Sequence, residues 1–336
     1  MKNVKVAVAG LGRIGKIHLD NLCRRIQGVE VIGAMEISDE YRNIPESYGI
    51  PFFTHHFNEL IGLKDLHAVV ICSPTDTHAD YVELAARAGK QIFCEKPLDL
   101  SLARVKEVLK VVEDRQVNLM LGFNRRFDPD FRKVHEMVRQ DKVGNIHIIK
   151  ITSRDPGPPP VEYIKRSGGL FLDMTIHDFD MVRYISGKTV KEIYARGSVL
   201  VDPAIKKAKD IDTAVITITF GDDSMAIIDN SRKAVYGYDQ RLEVFGSKGM
   251  VQADNNYEDH HRLFTEKYIS GALPLHFFLE RYEKSYVNEM KEFSDALIHN
   301  KKMPVGGEDG LISLKMGLAA KKSMEENRPV KLWEIE

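Results

Sequence analysis

Cysteine is scarce in this chain: three residues, Cys23, Cys72 and Cys94, with no C-x-x-C pair among them. An odd count without paired spacing offers neither a zinc ribbon nor a redox motif, and reads as a reduced, cytoplasmic protein. Charge of one sign is also missing. The 48 Lys+Arg against 49 Asp+Glu leave a net charge of -1, which gives no reason to expect a nucleic-acid or acidic-membrane partner. No apolar run approaches membrane-spanning length, and the apolar stretch nearest the start, Val4 to Ala9, has only the length of a strand, so no signal peptide is expected. The adjacent pairs His55-His56 and His260-His261 point their side chains apart in extended structure, so no metal site is expected from them. Repeats and low-complexity segments are absent as well.

What is present is a large apolar fraction. Hydrophobic residues are 43% of 336, enough to bury two cores, and two domains are expected, 1–122 and 123–336. The first opens with the β-rich run Lys5 to Ala9, which enters GLGRIG at Gly10 to Gly15 and continues into a helical pattern. Gly10 allows the tight turn, Gly12 lets the backbone approach a pyrophosphate, and Gly15 lets helix and strand pack closely. The amides of Arg13 and Ile14 then lie at a helix N-terminus, where free N–H groups and the dipole favour a phosphate. A second strand, Glu30 to Met35, ends at Glu36. A carboxylate there accepts the ribose hydroxyls and repels a 2′-phosphate, which argues for NAD over NADP.

The βα alternation continues. Ala68 to Cys72 is a continuous apolar run, as in a strand buried on both faces of a parallel sheet, and it opens into SPTDTH, Ser73 to His78. Ligands of open α/β sheets lie off the carboxyl ends of the strands. Ser73, Thr75 and His78 are therefore expected beside the cofactor, and so are Glu95 and Lys96, which the next strand delivers to the same edge. Ser101 is placed to cap a helix, and Asn118 to Gly122 is the last strand of this half.

After Gly122 the pattern changes to strand-like segments separated by turns such as Gly221-Asp222-Asp223 and Gly246 to Gly249. This predicts hairpins and a mainly antiparallel sheet, covered on one face by helices at Leu170–Ser186 and Tyr282–Ile298. Asp155 to Pro160, DPGPPP, can be neither helix nor inner strand, because its prolines lack donors. GGLFLDMTIHDFD, Gly168 to Asp180, has no breaker after its glycines until Gly187, so Leu170 to Ser186 reads as one helix. Asp173 and His177, four apart, then share one face. Such a pair is either a solvated acid and histidine or a base with its orienting anion.

The motifs GLGRIG, SPTDTH, CEKPL and GGLFLDMTIHDFD together resemble the glucose–fructose oxidoreductase/inositol dehydrogenase family (Gfo/Idh/MocA), over essentially the whole chain. GFNRRFD at Gly122 to Asp128, TSRDPGPPP at Thr152 to Pro160 and VYGYDQRLEVFG at Val235 to Gly246 are most similar to the inositol 2-dehydrogenases of that family. The resemblance implies an N-terminal Rossmann domain followed by an α+β substrate-binding and oligomerisation domain with an open sheet. It further implies NAD as cofactor, a cis Lys96-Pro97 bond, and a homotetramer formed through the exposed sheet face. Lys96, Asp173 and His177 match the family's catalytic residues, and Arg126, Asp155 and Tyr236 are polyol ligands by the same resemblance. On chemistry alone those three are equally a salt-bridging arginine, a turn acid and a packed aromatic. The family often has Asp where this chain has Glu36.

These residues meet the demands of hydride transfer from an alcohol. His177 is the base by type, and Lys96 is the cation for charge developing on the oxygen. Asp173 either orients the imidazole or binds a substrate hydroxyl. The reaction expected is oxidation of myo-inositol to the 2-keto product. Alternatives are a scyllo-inositol or aldose dehydrogenase and a nucleotide-sensing module without turnover.

Overall fold

The apolar run ahead of the glycines is strand β1 (Val4–Ala9), whose last four residues are buried. In the computed structural model, which describes residues 3–336, it joins β2 (Val29–Met35), β3 (Phe53–Thr54), β4 (Ala68–Ile71), β5 (Gln91–Glu95) and β6 (Leu119–Gly122). The sheet runs in the order β3-β2-β1-β4-β5-β6 with every pairing parallel. Chain direction across the sheet reverses between β1 and β4, the place where ligands settle in doubly wound folds. All four residues of β4 are buried, which is why that stretch carries no alternation.

Two compact units divide the chain: Met1–Phe127 with Lys284–Ile312, and Asp128–Glu283 with Ser313–Glu336. A single cut after Gly122 misses the return of Lys284–Ile312 to the first unit. The helix expected over the second sheet is Glu283–His299, and nearly all of it belongs to the first unit. Its inward stripe explains this, since Phe293 meets Phe93 of β5 edge-on at 5.7 Å and Tyr286 meets His18 of the helix Arg13–Arg24 at 5.7 Å.

The second unit is built on β7 (Ile146–Arg154), β8 (Val190–Ser198), β9 (Thr213–Phe220), β10 (Met225–Ser231), β11 (Asp239–Gly246), β12 (Gly249–Ala253) and, after a separate hairpin of β13 (Arg262–Phe264) and β14 (Ile269–Gly271), β15 (Val330–Lys331). The seven-stranded sheet has the order β12-β11-β7-β10-β9-β8-β15. It is antiparallel except for the β10–β7 pair, and the anticipated turns join β9 to β10 and β11 to β12. Alternation follows the pleat. Ala214, Ile216, Ile218, Ala226, Ile228 and Val244 face a core. Register places Val215, Met225, Ile227, Phe245 and Met250 together on the opposite face, where all five are exposed.

The expected single helix Leu170–Ser186 is two: Gly169–Asp173 and Ile176–Ser186. The break comes from Thr175. Its amide and that of Met174 both donate to the Leu170 carbonyl at 3.0 Å, and its own carbonyl accepts from Asp178 and Phe179. Its hydroxyl meanwhile donates to Asn230 Oδ1 at 2.6 Å. A sheet side chain therefore holds the residue at which the helix is interrupted, so the i,i+4 face assumed for Asp173 and His177 is not that of one continuous helix. No described helix is long and apolar enough to cross a membrane.

Candidate active site

In the first unit the glycine turn fits the role its spacing suggests. Gly10 has φ +90, and a Cβ there would lie 2.6 Å from the Ser73 amide nitrogen. A Cβ at Gly15 would lie 1.9 Å from the Gly10 carbonyl oxygen. Only glycine permits either approach. Gly12 is different, since a Cβ there would meet nothing within 4 Å. It caps the helix Arg13–Arg24 without a side-chain hydrogen bond. Open space beside a helix N-terminus, where the amides of Arg13 and Ile14 lie, suits the pyrophosphate of a dinucleotide. Glu36 sits where that ligand's ribose is expected, at the end of β2. Its Oε2 accepts from the Leu11 amide at 2.7 Å and its Oε1 from Ile37 at 2.8 Å, so the carboxylate is fixed beside the turn, with lone pairs left for hydroxyl donors.

The other edge residues divide into those that face a ligand and those that hold the loop. Thr75 opens the helix Thr75–Arg87 and Ser73 shares a 2.6 Å hydrogen bond with Thr77. His78 is 2% exposed. Its Nδ1 lies 2.8 Å from the Pro97 carbonyl oxygen and its Nε2 2.8 Å from that of Ser73. Burial outweighs these two carbonyls and lowers its pKa. Both ring nitrogens face backbone carbonyls, so His78 packs between the 73–78 loop and the Lys96 turn, the neutral ring donating to one carbonyl only, and neither nitrogen is turned to a nucleotide. Lys96 precedes a cis bond to Pro97, as expected. Glu95 turns inward, 2.8 Å from His18 Nε2. Arg126 is 7% exposed, with Nη2 2.9 Å from Asp309 Oδ1.

The second unit gathers two of the anticipated acids around a residue the sequence reading passed over. Arg232, 3% exposed, stands just after β10. Its Nη2 donates to Asp173 Oδ2 at 3.0 Å and its Nη1 to Asp155 Oδ2 at 3.4 Å. Burial opposes its charge, but Asp173 and Asp155 outweigh burial and raise its pKa. Tyr163 donates its hydroxyl to Asp173 Oδ1 at 2.9 Å. Asp210 closes the far side, accepting from the Leu170 amide at 3.1 Å with both oxygens, and burial pushes its carboxyl up. That bond needs the left-handed Gly169 at φ +79, where a Cβ would sit 2.6 Å from Asp210 Oδ1.

His177 lies half-buried in the first turn of Ile176–Ser186. That turn is bolted to the sheet by Asn230, wholly buried. Its amide donates to Asp178 Oδ2 at 2.9 Å while its Oδ1 accepts from Thr175. Tyr236 is placed otherwise. Its hydroxyl donates to Asp239 Oδ2 at 2.6 Å and accepts from Arg154 Nη1 at 3.1 Å, in a network of strand charges with Asp229 and Arg241.

One signal could have found Asn230. Along β10 the core face reads Ala226, Ile228, Asn230, so an amide stands where alternation calls for an apolar side chain. Arg232 had no such signal, because a cation after a strand is usually a surface residue.

Replacing Arg232 by Met leaves Asp155, Asp173 and Asp210 without their shared cation. Stability is expected to fall by about 3 kcal/mol at pH 8, the usual loss on breaking a buried pair. The deficit should shrink at pH 5 as the uncompensated carboxylates take up protons. Denaturant midpoints at the two pH values measure this, and an equal deficit at both would show that charge is not what Arg232 contributes.

Comparison with known proteins agrees with this geometry. Residues 4–123 match a family described as "Oxidoreductase family, NAD-binding Rossmann fold", and residues 131–252 match the "GFO/IDH/MocA C-terminal domain". A myo-inositol 2-dehydrogenase of Thermotoga maritima is 48% identical over 99% of both chains. An inositol 2-dehydrogenase of Rhizobium meliloti is 43% identical over 98% of this chain and 99% of its own. Among solved structures, scyllo-inositol dehydrogenase from Lactobacillus casei with bound NAD(H) and scyllo-inositol superposes with a TM-score of 0.92 at 31% identity, covering 99% of this chain and 100% of that one. With a nucleotide cradle in one unit and the matching C-terminal fold in the other, the chain belongs to the Gfo/Idh/MocA oxidoreductases and takes NAD.

Proposed function

We propose that this chain is an NAD-dependent inositol 2-dehydrogenase that oxidises myo-inositol to the 2-keto product. The observation that carries the reading is the polar array Asp155–Arg232–Asp173–Tyr163 in the unit that holds His177. Carboxylates with fixed directions suit a substrate that is a ring of hydroxyl donors. The names of the relatives point to the same substrate class. NAD supplies the hydride acceptor when bound, and the remaining work is positioning and proton management.

In this reading His177 takes the hydroxyl proton, and Asn230 limits the freedom of the helix turn that bears it. Lys96 offers a cation to the oxygen as charge develops there. Asp173, held from one side by Arg232 and from the other by Tyr163, meets the imidazolium or a neighbouring ring hydroxyl. Asp155, on the second Arg232 nitrogen, binds a hydroxyl. Arg126 and Tyr236 are further polyol ligands in this reading, although each side chain already holds an acid. The cofactor is gripped by Gly10 to Gly15 and Glu36, with Ser73 and Thr75 beside it.

Kinetics test this directly. His177→Ala should lower kcat by about 10²- to 10⁴-fold, the worth of a positioned base, and leave NAD affinity unchanged. Lys96→Ala should also lower kcat, and the double variant should lose less than the product of the two single losses, since both groups serve one transition state. A purely structural His177 gives instead a lower Tm and an unchanged kcat in the folded fraction. The unaltered enzyme should prefer NAD to NADP, with Glu36→Ala narrowing the gap. Across myo-inositol, scyllo-inositol and glucose, kcat/KM should rank myo-inositol first; glucose in first place would make it an aldose dehydrogenase.

The assembly proposed is a homotetramer through the open sheet face. Val215, Met225, Ile227, Phe245 and Met250 form a shared apolar face there, and monomers seldom leave such a patch in water. Sedimentation should give four chains per particle, and Ile227→Asp should shift the distribution to smaller species. A stable monomer at micromolar concentration would sink this assignment.

A further inference from the structure

The first unit contains a cluster of titratable groups that the reaction above does not use. His18 on the helix Arg13–Arg24, Glu95 at the end of β5 and Glu289 on the helix Glu283–His299 bring one nitrogen and two carboxylate oxygens within 4.8 Å of one another. His18 and Glu289 are fully buried, and the Glu95 side chain is 14% exposed. His18 Nε2 lies 2.8 Å from Glu95 Oε1. The rings of Phe93 and Tyr286 pack edge-on against the imidazole at 5.1 and 5.7 Å. Gly122 leaves room for the acid, because a Cβ there would lie 2.8 Å from Glu95 Oε2.

Glu289 is the odd member. Neither of its oxygens accepts a hydrogen bond from any described residue. An ionised carboxylate buried there meets no donor from a described residue, and it faces a second carboxylate within 4.8 Å. Burial first, and then the charge of Glu95, push the Glu289 carboxyl well above its usual range. The groups facing it are His18 from the first helix, Glu95 from β5 and Cys72 from the end of β4. Burial pushes the Cys72 thiol well up too, as it does Cys94 beside Glu95, so neither adds an anion. A neutral Glu289 is a donor, and the Glu95 carboxylate, which already accepts from His18 Nε2, is an acceptor within 4.8 Å of it.

We propose that Glu289 is kept as the neutral acid, and that its hydroxyl, His18 and Glu95 form one hydrogen-bonded bracket on which the Glu95–Lys96–Pro97 turn is mounted, which makes Glu289 a positioning residue for Lys96. This rests on the reading of Lys96 as the cation of the reaction. It also gives the returning helix Glu283–His299 a part in catalysis, because that helix reaches the active-site edge through Glu289. When Glu289 ionises, two anions confront each other, the bracket opens, and Lys96 loses its fixed carrier.

The sign of the pH effect follows from linkage. An acid whose folded pKa lies above its unfolded value binds more protons folded than unfolded between the two, so stability falls as pH rises through that window. Removing the titration removes that slope.

Four measurements on the full chain test the bracket. The infrared spectrum of wild-type protein labelled with ¹³C-glutamate should show, at pH 7, a non-ionised carboxyl that glutamate labelling shifts and aspartate labelling does not. Its absence overturns the proposal without any variant. Thermal unfolding from pH 6 to 9 should fall more steeply for wild type than for Glu289→Gln. Parallel curves with Glu289→Gln the less stable throughout would mean an ionised Glu289 paired with His18, and would overturn the proposal too. So would a stoichiometric metal ion that survives dialysis against a chelator, since a cation would then occupy the proton's place. The fourth measurement is kinetic. Glu289→Leu should lower kcat by about tenfold, as for misplacement of a reacting group, and shift the pH dependence of Lys96 acylation, with NAD affinity unaltered. Glu289→Gln should recover most of both. A structural role predicts no change in Lys96 acylation in the folded fraction. The infrared, unfolding and acylation readouts need no substrate, so they stand or fall apart from the assignment of inositol.

Discussion

Asn230 is the constraint on which the second unit's chemistry depends. A wholly buried amide has two donors and an acceptor to satisfy, and here each goes to a different piece of the site. Its Oδ1 takes the Thr175 hydroxyl, and its Nδ2 reaches Asp178 and, at 3.3 Å, the Ser153 carbonyl of β7. The helical segment is thus broken at Thr175 and restarted one residue before His177. Asp173 ends the first piece and His177 is the second residue of the next, so the two side chains are aimed by different anchors. Asp173 is set by Arg232 and Tyr163, whereas His177 is set by the bolt beneath it. A continuous helix would have aimed them by periodicity alone, and a sheet side chain would have had no control over either.

Control by neighbours recurs in the first unit. Gly10 and Gly15 let strand, turn and helix approach until no side chain fits, and the same approach brings the Ser73 amide against Gly10. His78 then ties the Ser73 loop to the Pro97 carbonyl. Glycine turn, SPTDTH loop and Lys96 turn therefore form one connected edge at the reversal point of the sheet. Displacing any of them shifts the floor under the others, because a close-packed interior transmits small movements.

Much of this was legible in the sequence, for identifiable reasons. GLGRIG, Glu36 and the buried run at β4 obey local rules, so spacing alone locates them. The strands of the second sheet follow from alternation and turn residues. Long-range polar partners were not legible. Arg232 lies 59 positions from Asp173 and 77 from Asp155, and nothing local distinguishes it from a surface arginine. The break at Thr175 escaped notice because its cause is on another element. The return of Lys284–Ile312 escaped for a related reason: an amphipathic helix states that it needs a partner, not which one. Its apolar stripe would have served over either sheet.

The polar members of that stripe do discriminate. Apolar side chains accept any apolar surface of the right shape, but Glu289 is tolerable only where its proton is held and an acceptor lies in reach. Over the apolar part of the second sheet's covered face, lined by Ala214, Ile216, Ile228 and Val244 and away from Asn230, the same carboxyl would be buried without one. Beside His18 and Glu95 it has both. The residue that looks least at home in a core helix is thus the one that best explains where the helix docks, and the docking brings it to the base of the turn that carries Lys96.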